Sequence, residues 1–321
     1  MSIKKKLPEI ASALNIRLEQ FMPVLTPTGV ILGFLLPQLF IQLRPLVPWL
    51  FALMTLSGAL KLRTKDLVQA VRYPIPIVLF FLCAHLIIPL IVLLTCTLIF
   101  RGDSDTISGY MLLFSVPTAV SGFIWVSIFR GDGALTLAII LLDTLVAPLV
   151  VPGTLSLFLG TKITLDISGM AVSLILMVVA PTIIGVLVNE GSQEKIPPVV
   201  SPYLNPLAKV CVVLVIAANT SPVAPRIHLD TPKVWIIAVL CILFSVLGYV
   251  CSRLTGIVAR LNPEKKVSLF FTIGMRNISA ATTIAIDFFP EAAAFPALLG
   301  IVFQQTIAAI MGRLLLRKPK A

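Results

Sequence analysis

An arginine stands in the middle of an apolar run. Residues 273–280 read IGMRNISA, between KKVSLFFT upstream and ATTIAIDFFP downstream. A guanidinium keeps its proton inside a protein, so Arg276 is a fixed cation. It can neutralise a carboxylate through two parallel hydrogen bonds or fasten neighbouring backbone. The complementary acid is Asp143, alone within its apolar stretch. Thr136, Ile140, Asp143 and Ala147 are separated by four, three and four residues, so they share one helical face. His85 lies in another apolar stretch, where a histidine packs helices about as often as it carries a proton. Asn277 follows the arginine directly. Thr118 and Ser121 flank a second interruption, and Gln304, Gln305 and Thr306 break up the last apolar run. These groups suit the binding of an anion, and each could also serve only to bond a neighbouring helix.

Several chemistries lack the residues they need. A membrane zinc protease requires HExxH and a membrane aspartyl protease two facing aspartates. Neither pattern occurs, and the two histidines, His85 and His228, fall on different segments. No catalytic residue, metal ligand set or cofactor motif is therefore assigned. The five cysteines form no CxxC pair and sit in or beside apolar segments, as small buried residues do. A net charge of +11 is spread over short loops rather than gathered in one patch, which argues against nucleic acid.

These residues must be positioned by elements of one kind. With 58% hydrophobic residues, 12% charged and a mean hydropathy of +1.04, the chain reads as an all-α polytopic membrane protein. Apolar stretches of spanning length predict ten transmembrane helices near 24–42, 46–60, 74–99, 107–129, 133–159, 167–189, 204–222, 233–256, 265–289 and 292–317. Residues 1–23 place Leu7, Ile10, Leu14, Leu18 and Phe21 on one face, the pattern of an interfacial helix, and lack the features of a signal peptide. Lysine and arginine cluster before the first span, after the even spans and at the C-terminus. Both termini, including the tail at 318–321, are therefore expected in the cytoplasm of a cell that carries the protein in its inner membrane.

The fourth and ninth spans are flawed alike. One has Pro117, Ser121 and Gly122 near its centre; the other has Gly274, Arg276, Asn277 and Ser279. Members four and nine of ten are the spacing of two five-helix repeats. An odd number per repeat inverts the second. Interrupted helices at matching places in inverted halves mark a substrate site at the midplane, because broken backbone survives there only where it is buried or lines a cavity.

The segment LFSVPTAVSGFIWVSIFRGDGALTLAIILLDTLVAPLVVP resembles the fourth and fifth helices of the bile acid:sodium symporter family. GMRNISAATTIAI is similar to that family's ninth-helix break, and LFALMTLSGALKLRTKDL to its second helix. The resemblance implies a transporter unit over 24–317 in which broken helices 4 and 9 cross. It implies a panel domain (helices 1, 2, 6 and 7, about 24–60 and 167–222) and a core domain (helices 3–5 and 8–10, about 74–159 and 233–317). The substrates implied are organic anions moved by alternating access. Asn277 falls on a substrate-contacting asparagine and Thr306 near a substrate-side position. At the positions where sodium-coupled relatives hold their ions this chain has Thr272, Arg276, Ala84, Gly122, Phe123, Thr136 and Ile140. Sodium needs several hard oxygen ligands, which this set does not supply. Arg276 then puts a fixed cation where relatives bind a removable one. The expected substrate contacts are Arg276, Asn277, Thr118, Ser121 and Thr306. Ion coupling or a charge pair falls to Asp143, His85, Thr136, Thr272 and Gln305, with sodium or a proton as the coupling ion. The expected partners are the organic anion and the bilayer; the residues leave the oligomeric state open, a monomer being one plausible state.

Overall fold

The computed structural model describes residues 3–65, 68, 74–160, 166–226 and 231–316. The expected tail at 318–321, and Arg72, Lys162, His228, Asp230 and Arg317, lie outside these. Among the described residues the protein is helical throughout: α1 (Ile3–Gln20), α2 (Met22–Leu35), α3 (Pro37–Ala59), α4 (Pro74–Ile99), α5 (Ser104–Ser115), α6 (Gly122–Ile128), α7 (Gly133–Leu159), α8 (Ile167–Gly191), α9 (Pro197–Thr220), α10 (Pro232–Val258), α11 (Pro263–Gly274), α12 (Ile278–Phe288) and α13 (Glu291–Leu315).

Seven of these are long and apolar enough to cross a bilayer: α3, α4, α7, α8, α9, α10 and α13. The ten expected stretches reduce to seven for a physical reason. The fourth is divided into α5 and α6 and the ninth into α11 and α12, so no half reaches spanning length. The first is the 14-residue α2. It ends earlier than expected, because Leu36 precedes a proline and leaves the helical region (φ −125°, ψ 52°). Pro37 then starts α3, where its missing N–H costs nothing. The second stretch, expected at 46–60, accordingly begins nine residues earlier, at Pro37.

The chain divides into two units, residues 1–64 with 173–225 and residues 65–172 with 226–321. In the first, α9 packs on α1, α2 and α3. Gly33 permits its close approach to α2; a Cβ there would stand 2.4 Å from the Ala217 carbonyl oxygen. Ser57 donates to Asn205 Oδ1 (2.8 Å), and Asn189 Nδ2 donates to the Leu62 carbonyl (3.1 Å).

In the second unit the helix starts are fixed by side chains. Asp103 accepts the Thr106 N–H and pairs with Lys233 at 2.8 Å, joining the starts of α5 and α10. The RGD turn has Arg130 in the left-handed region (φ 56°) and Asp132 as the cap of α7, accepting the Leu135 N–H at 3.0 Å. Asp132 also bonds through its backbone to α11, donating its N–H to the Glu264 carbonyl and accepting the Ser268 hydroxyl. Trp125, Phe129, Tyr249, Phe270 and Phe271 stack into the apolar core behind the break in α11–α12. Gly274 is required there, because a Cβ would stand 2.2 Å from the Tyr249 ring.

Candidate functional site

Two short extended segments meet inside the second unit. Val116 ends α5 in extended conformation (ψ 156°), as a residue before proline must, and Pro117 cannot continue the helix. Met275 ends α11 likewise extended (φ −113°, ψ 129°). The segments run antiparallel with Thr118 opposite Arg276. Ala119 N–H bonds the Met275 carbonyl at 3.2 Å and Asn277 N–H the Pro117 carbonyl at 2.8 Å. Each break thus supplies partners for the backbone groups the other exposes, which removes much of the penalty of unpaired backbone away from water.

Thr118 ties the two breaks together. It is buried, its hydroxyl reaches the Thr272 carbonyl at 2.7 Å and the Met275 carbonyl at 3.2 Å, and its N–H donates to Asp143 Oδ2 at 2.6 Å. Arg276 is only 3% exposed. Its N–H donates to Gln304 Oε1 (2.9 Å), Nη2 to the Ala84 carbonyl (2.8 Å) and Nη1 to the Val116 carbonyl (3.4 Å). The Ala84 carbonyl lies in a π turn over Cys83–Ile87. Val116 ends α5, so the guanidinium sits at the negative end of that half-helix dipole.

Asp143 takes His85, not Arg276, as its hydrogen-bonded partner: His85 Nε2 stands 2.8 Å from Asp143 Oδ1. This differs from the direct Arg276–Asp143 pair suggested by charge alone. The π turn supplies the reason, since it presents a carbonyl to the arginine and the next side chain to the acid. Arg276 and Asp143 are linked through Thr118, which pairs with one and donates to the other.

The remaining expected residues are placed unequally. Asn277 caps α12, accepting the Ala280 N–H at 3.3 Å, and is partly exposed. Ser121 begins α6 without a side-chain cap bond. The amides of Gly122, Phe123 and Ile124 are taken by local turns, so the start of α6 offers an anion no open ring of N–H groups. Thr306 is exposed on α13, and Gln305 Oε1 accepts the Trp125 indole N–H at 3.0 Å. Thr136 and Thr272 are buried and their hydroxyls bond the carbonyls of Asp132 and Ser268 four residues back. Gln304 bonds a neighbouring element, accepting the Arg276 N–H at the break between α11 and α12. Adjacent glutamines differ by about 100° around a helix, and nothing in the residue types says which one faces Arg276. Among the described residues no group of three or more His, Cys, Asp or Glu could hold a metal ion. An open groove lined by Pro148, Pro152, Ser156 and Asp166 lies at the far end of α7, and none of the crossover residues lines it.

The described residues are helical, seven helices are long and apolar enough to cross a membrane, and the family that the chain matches is one of transporters, not enzymes. The chain belongs to the sodium bile acid symporter family, whose pattern matches residues 47–227. It is 40% identical over 296 residues to "Uncharacterized protein YbaS" of Bacillus subtilis, covering 92% of this chain and 97% of that one. "Uncharacterized sodium-dependent transporter YocS" of the same organism is 21% identical, covering 90% of this chain and 89% of the relative. "Probable sodium/metabolite cotransporter BASS6, chloroplastic" of Arabidopsis thaliana is 29% identical, covering 84% and 68%.

Proposed function

We propose that the protein is a secondary transporter that moves a small organic anion across the cell membrane by alternating access, without sodium coupling through the family's usual positions. The observation that carries this reading is the crossing at Thr118 and Arg276, where a fixed cation is buried between two helix breaks. On this reading the ten apolar stretches form two inverted five-helix repeats with both termini cytoplasmic and α1 on the membrane surface. The second unit is the core domain and the first the panel domain. The anion's carboxylate meets Asn277 and Ser121 beside the crossing, with Thr306 on the same route. Arg276 contributes its field while its guanidinium holds the Ala84 and Val116 carbonyls.

The residues at the family's ion positions support sodium independence. Ala84, Phe123 and Ile140 offer no side-chain oxygen, and no carboxylate or carboxamide stands at any of these positions, which leaves only the hydroxyls of Thr136 and Thr272. The second reading, a sodium symporter with rearranged ligands, is favoured by the names of the relatives YocS and BASS6. Purified protein in liposomes separates the two. Counterflow of labelled small carboxylates should be saturable and unchanged when sodium is replaced by potassium or choline. A steep, sodium-specific stimulation would establish the second reading, and the absence of saturable counterflow would argue for a channel.

A further inference from the structure

We propose that His85 and Asp143 form the proton-coupling site of this transporter: the pair takes up one proton as the anion binds and releases it as the anion leaves. The inference rests on the carrier reading above and adds the driving ion to it.

The pair is buried, with Asp143 at 0% exposure and His85 at 9%. His85 Nε2 faces the carboxylate at 2.8 Å, so in the neutral ring this nitrogen carries the hydrogen. A second proton can go only to Nδ1, which is buried and without a hydrogen-bond partner. The ring stacks on Phe81 (5.6 Å between centroids, 27°) and meets Phe80 edge to face. Stacking on an aromatic face accommodates an imidazolium as well as an imidazole. Few side chains change charge near neutral pH, and histidine is foremost among them.

What makes the pair a coupling site is its place in the network. Asp143 Oδ2 accepts the N–H of Thr118, the residue opposite Arg276 in the crossing. Arg276 Nη2 bonds the carbonyl of Ala84, the residue before His85. With His85 neutral, Arg276 and Asp143 sum to zero. A carboxylate then brings the buried centre to −1, and one proton on His85 restores neutrality. The anion weakens the repulsion that Arg276 exerts on an imidazolium, so anion and proton each raise the other's affinity, as linkage requires. Of the other titratable groups on the elements packed here, Cys83 lies two residues before His85 on α4 and bonds Thr255 and Cys251 of α10, Tyr249 of α10 lies over Gly274, and Tyr110 of α5 gives its hydroxyl to the Ile237 carbonyl.

Two substitutions fix the charge in opposite senses. Asp143→Asn keeps an acceptor for the Thr118 N–H and leaves the centre one charge more positive, mimicking the protonated pair. His85→Gln keeps a donor for Asp143 and holds the centre in its unprotonated charge. The first arm needs no substrate. In protein labelled with [15N]histidine, the signal lost in His85→Gln belongs to His85, since the chain has two histidines. Acidification is expected to convert that ring reversibly from its neutral to its doubly protonated signal; a ring held in one state throughout would overturn the proposal. The second arm uses labelled pantoate as probe in proteoliposomes. An alkaline-inside gradient should drive its accumulation several-fold in the wild type. Asp143→Asn should exchange pantoate at a rate independent of pH yet lose accumulation, and His85→Gln should lose the gain in binding on acidification. Equal gradient-driven accumulation in all three proteins would overturn the proton site while leaving the carrier standing. If pantoate shows no counterflow at all, the small-carboxylate reading fails for that probe, and the histidine titration alone decides the proton site.

Discussion

Arg276 is held by carbonyl oxygens, and that defines what its replacement should do. Lysine keeps the charge but lacks the planar fork that serves Ala84 and Val116 together. Arg276→Lys should therefore lower stability by about 1–3 kcal/mol, the cost of leaving a buried polar group unpaired, seen as a reduced midpoint of thermal unfolding in detergent. A lysine variant as stable as the wild type but unable to bind anions would instead make the guanidinium a direct substrate ligand. The residue types announced much of this site. A charge in an apolar run, an acid on an inward face of α7 and a solitary histidine were all visible in the chain. Their pairing was not, because the histidine's position depends on a π turn that no residue type signals. Hydrogen bonds from backbone to side chain, such as Thr118 N–H to Asp143, are equally silent in a sequence.

The elements were legible where proline or glycine interrupts an apolar stretch at its centre and blurred where one falls near its end. Pro117 ends α5, and Gly274 ends α11 where only a residue without Cβ fits beneath Tyr249. Gly274→Ala should cost about 1–3 kcal/mol from overpacking. Adding Tyr249→Leu should recover part of that loss; no recovery in a thermal unfolding assay would mean the backbone, not the ring, is the obstacle. At the other end of α5, burial alone would raise the Asp103 carboxyl. The Lys233 ammonium and the Thr106 hydroxyl and N–H outweigh it and hold the group below the usual carboxylate range. The folded value is depressed, so the bond's stabilisation is present above the unfolded carboxylate range and is lost as pH falls through the folded value. Asp103→Asn should therefore lower stability by up to about 1 kcal/mol at neutral pH, and the difference from wild type should vanish in strong acid. The boundary at Leu36–Pro37 illustrates the opposite case. The apolar run continues unbroken through the proline, and hydropathy alone assigns its residues to the wrong helix.

For the whole molecule, the charge distribution makes a topological statement. A reporter fused after Ala321 should be cytoplasmic and one inserted near Ser104 extracytoplasmic. Finding both on one side of the membrane would end the inverted-repeat scheme. Length and hydropathy alone find seven crossings among the described residues, since two of the ten expected stretches are cut at their centres and the first is the 14-residue α2. On the proposed carrier reading the two cut stretches build the substrate site, and a count by length misses them. The π turn at Cys83–Ile87 has a consequence of its own. Such a turn is an α-helix carrying one residue too many, absorbed within a single wide turn. Deleting a single residue there would heal the helix but take away the bulge that presents the Ala84 carbonyl to Arg276 and the His85 ring to Asp143. In this stretch, loss of one codon should therefore do more harm than most single substitutions.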